Sequence, residues 1–378
     1  MIKRFLLVGM ILIGLLDAGW LWADTINAQA QAGFEYHWWR DSETNTGYQL
    51  LVPIKISSEY KDFTFSILGG YAYTGHDSVV DGLNTLSQVM DTKVNLSYAL
   101  INKLPFDVLF GLDFNIPTAR INLSYSKLSL LMDPDLVPLS QYGEGFNLNP
   151  TVSIAKDWGR LITGLGIGYI WRGKYDFTSY HRNYDPGDIF TATAEARYDF
   201  TSFWSGRLFA QYARFGKDQW KERSIYREGD FYMAGIGICY APKSWETSLT
   251  FRYVYRGKSE LPVWPYDLTP MNHSLRGNEY AGDFVLSHHL NEPTTIWMKI
   301  SGLYIQENDY PATDYYFVGK RQKAALELGV KRSFGAHWET SLFVRGFTMH
   351  DDKRFFPEYM DERTYNGFSV GAAITARF

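Results

Sequence analysis

The side chains that could do chemistry in this sequence are mostly charged residues at alternate positions. In the stretch FTATAEARYDFTSFWSGRLF, residues 190–209, Glu195 and Arg197 fall on one parity while Phe190 and Tyr198 fall on the other. Because successive side chains of a β-strand point to opposite faces, this pattern predicts one charged and one apolar face. A charged face that lines a pore selects solutes by their charge. Ten residues are candidates for this role: Arg172, Glu195, Arg197, Arg207, Arg252, Arg256, Lys299, Glu327, Lys331 and Arg345.

Other residue combinations fit catalysis, metal binding or nucleotide binding poorly. The Ser-His-His run at 287–289 and the His-Ser pair at 273–274 could suggest a lipid hydrolase, but no third orienting group stands out beside them. Adjacent histidines on a strand point to opposite faces and cannot chelate one metal together. The Gly-Leu-Gly-Ile-Gly run at 164–168 lies in a strand pattern with no following helix, so it is not a dinucleotide fingerprint. We therefore expect no catalytic, metal or cofactor site.

Composition excludes several classes of protein. A net charge of -4 provides no basic field to attract nucleic acid. The single cysteine, Cys239, rules out an intrachain disulfide framework and a Cys-pair metal site. Beyond the N-terminus no run approaches the ~20 apolar residues that a membrane helix needs. A membrane β-barrel stays compatible with these numbers, because its strands are only half apolar.

The N-terminus has the pattern of a secretory signal peptide. A positively charged start precedes an apolar core over residues 5–16, followed by an Ala-Gln-Ala cleavage motif that ends before Gln31. Cleavage is predicted before Gln31, and a cut after Ala23 is the alternative. We therefore assign residues 1–30 to a signal peptide and residues 31–378 to the folded domain.

Segments with a period of two are separated by gaps that alternate between short and long. About sixteen segments of roughly ten residues result, as expected for an antiparallel up-and-down transmembrane β-barrel with short periplasmic turns and long extracellular loops. A soluble propeller is the alternative, but no blade motif recurs. The short gaps lie near 59–62, 102–105, 157–160, 201–203, 242–244, 291–293 and 334–336, and the long gaps near 39–47, 75–91, 115–145, 175–187, 216–228, 258–277, 306–320 and 349–365.

Three further features favour a membrane barrel over a soluble sheet. Tryptophans recur beside the short gaps, where an indole ring suits a bilayer interface. A regular sheet of this length must close, because backbone in lipid tolerates no open edge. The final segment, GFSVGAAITARF, alternates strictly and stops on Phe378. The predicted interfacial tryptophans are Trp158, Trp204, Trp245, Trp297 and Trp338.

Two resemblances sharpen this interpretation. A last amphipathic strand that ends on Phe378 looks like the signal that outer-membrane barrels present to their insertion machinery, which implies a Gram-negative outer membrane. The stretches GLDFNIPT (111–118), GEGFNLNPTVSIAKDWG (143–159) and GLGIGYIWRGKY (164–175) are similar to outer-membrane channels for apolar compounds. These are the phenol meta-pathway barrels and, more distantly, the long-chain fatty acid transporters. The resemblance implies that the solutes are small and apolar or aromatic.

The longest gap, 115–145, contains LSLLMDPDLVPL at 128–139, an apolar run for a segment that faces water. Long loops are usually functional or disordered. We expect this loop to fold into the lumen as a constriction or plug that presents apolar side chains to the solute; an outside loop is the alternative. Gly164, Gly166 and Gly168 would let it approach the wall closely. The constriction candidates are Leu128, Leu130, Leu131, Met132, Leu136 and Val137.

Together these patterns predict a single-domain, all-β outer-membrane channel that passes small apolar or aromatic molecules down a gradient. Arg172, Arg252, Arg256 and Arg345 fall towards the long-loop ends of their strands, and this basic zone also fits a general porin for hydrophilic or anionic solutes. A lipid hydrolase and a structural sheath for a partner protein are further alternatives. We expect no enzymatic activity, with membrane lipid and the insertion machinery as partners; fold-level analogy suggests a homotrimer.

Overall fold

The barrel strands follow one another as neighbours around a single closed sheet. The computed structural model describes residues 27–79, 82–119, 122–179, 181–262 and 268–378. Residues 1–26, which hold most of the predicted signal peptide, lie outside the described residues. Within the described residues, every barrel strand runs antiparallel to both neighbours, and β1 pairs with β16 to close the sheet.

The barrel has sixteen strands, one of which is interrupted. The fourth strand consists of Gly82–Val89 and Thr92–Leu100, and both parts pair with the third. The strands are β1 Asn27–Asp41, β2 Thr46–Tyr60, β3 Phe63–Ser78, β4 in its two parts, β5 Asp107–Ile116, β6 Asn147–Asp157, β7 Leu161–Arg172, β8 Ile189–Asp199, β9 Trp204–Phe215, β10 Phe231–Tyr240, β11 Trp245–Arg256, β12 Glu279–Asn291, β13 Thr294–Ile305, β14 Arg321–Phe334, β15 Trp338–Asp351 and β16 Arg363–Arg377.

Regular structure outside the barrel is limited to short pieces in the loops. A 3-10 helix spans Tyr125–Leu130 between β5 and β6. Two small hairpins pair Asp218–Trp220 with Arg223–Tyr226 and Glu260–Pro262 with Leu268–Pro270. Among the described residues, no helix is long and apolar enough to cross a membrane.

The two faces of the sheet differ as the alternation predicts. Outward positions carry large apolar side chains that are strongly exposed, such as Leu165, Ile167 and Leu208 at 58–59%. The alternate positions face the lumen and carry the charged residues, including Glu195 and Arg207. An apolar belt outside and a polar lining inside are the arrangement that a lipid bilayer requires of a barrel.

The turns at the chain-terminal end of the barrel are two to six residues long, and each overlaps a predicted short gap. Six of the predicted long gaps are loops at the other end. The predicted gaps 39–47 and 75–91 were too long, because the ladder runs to Asp41 and resumes at Thr46 in the first, and runs to Ser78 and resumes at Gly82 in the second. Asn45 stabilises the connection between β1 and β2. Its backbone N–H donates to the Asp41 carboxylate, and its side-chain oxygen accepts from the backbone N–H of Val79.

The predicted tryptophan belt holds at four of its five positions. Trp297 was predicted wrongly to face the interface: it points into the lumen, where its Nε1–H donates to Glu327 at 3.0 Å and its ring covers Gly329. On β13, Trp297 points to the same side as Lys299, which faces the lumen. A partly buried indole N–H needs a hydrogen-bond acceptor, and Glu327 provides it. The outward-facing members, between 41% and 65% exposed, are Trp158, Trp204, Trp245 and Trp338.

The start of β1 bears on the predicted cleavage of the signal peptide. Residues 27–30 belong to β1, and Ala28 exchanges backbone hydrogen bonds with Phe378 at 3.3 and 2.9 Å. A cut before Gln31 would remove these bonds from the seam that closes the barrel, whereas a cut after Ala23 would keep them. We expect the intact mass of the chain isolated from outer membranes to match a start directly after Ala23. A mass that starts at Gln31 would contradict this expectation.

Candidate functional site

The described part of the connection between β5 and β6, residues 117–119 and 122–146, lies inside the barrel; it is called the inserted loop below. It contacts inward-facing side chains of strands that are far apart around the wall, Gln49 on β2 and Arg321 on β14. Between these two strands lie β1, β16 and β15. The loop therefore crosses the inner face of the barrel on both sides of the closing seam.

Asp91 fastens both ends of the inserted loop to the wall. It lies in the interruption of β4 and is buried. Its carboxylate accepts hydrogen bonds from the backbone N–H of Ala119 at 3.0 Å and of Glu144 at 2.9 Å, and from Asn115 Nδ2 at 2.7 Å. A carboxylate that accepts three such bonds holds the entry and the exit of the loop at one point.

Gln49 holds the flank of the loop with two backbone hydrogen bonds. Its Nε2 donates to the carbonyl of Leu139 at 2.9 Å, and its Oε1 accepts from the N–H of Leu139 at 3.0 Å. Nearby, the Tyr142 hydroxyl donates to Thr74 Oγ1 on β3. Gln49 and Thr74 are both fully buried, so water does not compete for these bonds.

Arg321 holds the tip of the loop through three carboxylates. Its guanidinium contacts Asp133 and Asp135 of the loop at 2.8 Å and Asp351 of β15 at 2.6 Å. Lys323 adds a hydrogen bond to the carbonyl of Asp135. Burial alone would raise the pKa of the Asp133 carboxyl, but Arg321 holds that pKa below its ordinary value of 3.8. The Asp133 carboxylate therefore stays charged to a lower pH than an ordinary aspartate does.

The apolar constriction candidates attach the loop to the wall, and Leu136 and Val137 also border the small cavity behind the loop. Leu130 packs with Leu51 of β2 and Ala72 of β3, and Val137 packs with Trp39 and Met349. Each such burial contributes about 1.5–3 kcal/mol, which is lost if the side chain meets water. Four of these side chains are therefore buried in the attachment of the loop, and the expectation that they meet a solute stays a prediction. The buried candidates are Leu130, Met132, Leu136 and Val137, and the partly buried ones packed beside Leu130 are Leu128 and Leu131.

All ten predicted pore-lining residues lie on the inward-facing parity of their strands, alternating with exposed apolar residues such as Leu249, Leu326 and Val344. Many of these side chains pair with a side chain of a neighbouring strand or loop. Glu195 lines the lumen, and Glu327 accepts from Trp297. Those paired with a carboxylate at 3.1–3.8 Å are Arg197, Arg252, Arg256, Lys299 and Lys331, whereas Arg172, Arg207 and Arg345 have no carboxylate within 4.0 Å among the described residues.

Three cavities mark the open part of the lumen. The largest, about 820 Å³, lies at the short-turn end and is lined by charged residues that include Glu195, Arg197 and Arg207. A second, about 470 Å³, lies on the long-loop side of the loop tip and is called the vestibule. A third, about 240 Å³, separates Pro134 and Pro138 of the loop from the wall. Charged side chains therefore line the lumen on both sides of the loop.

The predicted glycine track does not receive the loop. Gly166 and Gly168 on β7 face the small side chains of Thr151, Ser153 and Thr193 on neighbouring strands. The loop instead packs on β1, β2, β3, β15 and β16, at least four strands away around the barrel. The wall at these glycines is therefore lined by small polar side chains.

The Ser-His pairs suggested by the sequence are not assembled. His288 faces outward and stacks on Trp245 at 3.9 Å, and His289 bonds to Thr295. The Ser-His contact among the described residues that joins two strands is His37 Nδ1 to Ser369 Oγ at 2.7 Å, across β1 and β16. Both side chains are buried, so this bond fastens the seam. No cluster of metal-ligating residues occurs in the part of the chain that the structure describes.

Removing the Asp91 carboxylate is expected to release the ends of the loop. In Asp91→Ala, two backbone N–H groups lose their acceptor, at a cost of about 1–3 kcal/mol each. We expect limited proteolysis within residues 122–146, measured on the folded protein in detergent micelles, to be at least about tenfold faster than in the wild type.

Asp113→Ala is the matched control for this experiment. Asp113 also lies on the inner wall and accepts from Asn95 and Asn149, but among the described residues it makes no hydrogen bond to the inserted loop. Its removal should leave the cleavage rate of the loop unchanged. Equal rates for Asp91→Ala and the wild type would refute the role assigned to Asp91.

Comparison with known proteins identifies the architecture. No protein-family model and no curated protein matches the sequence. Among solved structures, Acinetobacter baumannii OccAB1 aligns over 93% of this chain and 97% of its own, with a TM-score of 0.51 and 8% identity. The anion-selective porin from Comamonas acidovorans aligns over 94% and 99%, with a TM-score of 0.44 and 12% identity. The CymD monoaromatic hydrocarbon channel aligns over 94% and 88%, with a TM-score of 0.45 and 8% identity. The chain is thus a closed, sixteen-stranded antiparallel barrel with the fold of outer-membrane β-barrel channels.

Proposed function

We propose that this protein is a passive outer-membrane channel for small hydrophilic solutes, narrowed by the inserted loop. The observation that carries the proposal is the distribution of side chains on the loop. Its leucines, Met132 and Val137 are buried or partly buried against the wall, and the loop presents Asp133 and Asp135 to the vestibule together with Pro134. Water and hydrated solutes are the natural contents of such a lumen.

The preference for apolar or aromatic solutes loses its main physical support. It depended on apolar loop side chains that meet the solute, and these side chains are packed on β1, β2, β3, β15 and β16 instead. The alternative that the sequence left open, a porin for hydrophilic or anionic solutes, agrees with charged cavities on both sides of the loop.

Delivery to a Gram-negative outer membrane is part of the proposal. Phe378 pairs with Ala28 at the closing seam, so the last residue of the chain completes the barrel where its first and last strands meet. A C-terminal strand in this position suits recognition by the insertion machinery before the seam closes. The apolar outer face and the exposed tryptophans provide the contacts with lipid.

Single-channel recording in planar bilayers tests the proposal. The wild type should give a steady ohmic conductance. In Arg321→Ala, the tip loses the cation that holds Asp133 and Asp135, and we expect a noisier conductance that is roughly 1.5- to 2-fold higher, because the constriction relaxes towards the wall.

Arg332→Ala is the control on the same strand. Arg332 faces outward and lies over the ring of Phe334, so its loss should leave the conductance at the wild-type value. A wild-type protein that is folded and inserted but passes no current would contradict the channel function.

A further inference from the structure

The vestibule is lined by six cationic side chains and five carboxylates, and two of its guanidinium groups have no carboxylate within 4.0 Å among the described residues. Arg252 and Arg256 of β11, Arg276 of the loop after β11 and Arg354 of the loop after β15 line this one cavity. We infer that the vestibule is a binding site for small organic anions that carry a carboxylate. This inference rests on the proposed channel function and names the class of solute that the channel selects.

The carboxylates that line the vestibule are all engaged by cations. Each lies within 4 Å of a lysine or arginine nitrogen, so its charge is already offset by a cation. Asp133, Asp135 and Asp351 contact Arg321, Glu279 contacts Arg252, and Asp352 contacts Lys320.

Arg276 and Arg354 are left without a carboxylate within 4.0 Å among the described residues. The Nε of Arg354 is buried and has no hydrogen-bond acceptor there. A buried donor without an acceptor is unfavourable, so the protein itself does not satisfy this guanidinium. The charge of Arg276 also repels that of Arg256 across the cavity, which a bound anion would offset.

The cavity at the other end of the lumen is balanced. Its lining has equal numbers of cations and carboxylates, and Arg197 is already paired with Asp199 at 3.1 Å. Selection by charge is therefore expected at the vestibule. The charged residues of the balanced cavity are Arg160, Arg197 and Arg207 with Glu195, Asp199 and Glu246.

The chemistry of the vestibule suits a carboxylate with a small apolar body. A guanidinium binds a carboxylate through two parallel N–H···O bonds, a geometry that chloride cannot use. Tyr226, Leu275 and Phe356 line the same cavity and belong to a cluster of loop aromatics and aliphatics. A volume of about 470 Å³ accommodates a molecule of the size of benzoate.

Bilayer recordings with benzoate as the probe test the inference. We compare the wild type with the double variant Arg276→Gln/Arg354→Gln in a potassium chloride gradient, before and after adding sodium benzoate on the long-loop side. The wild type should prefer chloride over potassium, and benzoate should reduce its chloride current. In the double variant, the chloride preference and the apparent affinity for benzoate should each fall by at least about threefold.

Arg214→Gln/Arg332→Gln is the matched control, since both arginines face outward and the net charge changes equally. It should behave as the wild type does. Conducting channels that ignore benzoate, or a vestibule variant with wild-type selectivity, would overturn the inference. A control variant that shifts as much as the vestibule variant would do so too. Absence of any conductance would instead contradict the proposed channel function.

Discussion

Pairing of the backbone is the constraint on which the rest of this structure depends. In a bilayer, every N–H and C=O of a spanning strand must find its partner inside the protein, and only closure of the sheet achieves this for all strands. The seam between β1 and β16 runs from Gln29–Arg377 to Asp41–Tyr365, so closure extends over the whole height of the wall. Closure forces alternate side chains into lipid and into the lumen, and thereby creates the polar interior that a channel needs.

Closure also leaves a wide interior, and the inserted loop fills part of it. A barrel of sixteen strands has an interior too wide for wall side chains to fill, so a constriction must come from elsewhere. The loop supplies it by burying Leu130 and Val137 on the wall, and by placing Asp133 and Asp135 on Arg321. Apolar burial gives the attachment its free energy, while the Asp91 and Gln49 hydrogen bonds fix where the backbone runs.

The period of two, the alternation of gap lengths and the last strand were enough to predict the barrel, its strand number and the inward parity of residues such as Arg207 and Arg345. These features are local, because each can be recognised within one strand and the turns beside it. The attachment of the loop could not be predicted, because Gln49 and Leu139, or Asp135 and Arg321, are distant in sequence and meet only after closure. The prediction for Trp297 failed because it used only the distance of this residue from a turn. The alternation of side chains along β13 decides that it points into the lumen.

The position of the loop's apolar side chains is the central claim, and accessibility to a charged thiol reagent tests it most directly. In a Cys239→Ser background, Val137→Cys and Pro138→Cys are compared by single-channel recording while a charged methanethiosulfonate is added. Pro138 is exposed beside the cavity behind the loop, whereas Val137 is 2% exposed. The account predicts that the current falls in Pro138→Cys and stays constant in Val137→Cys. Equally rapid reaction at both positions would contradict it.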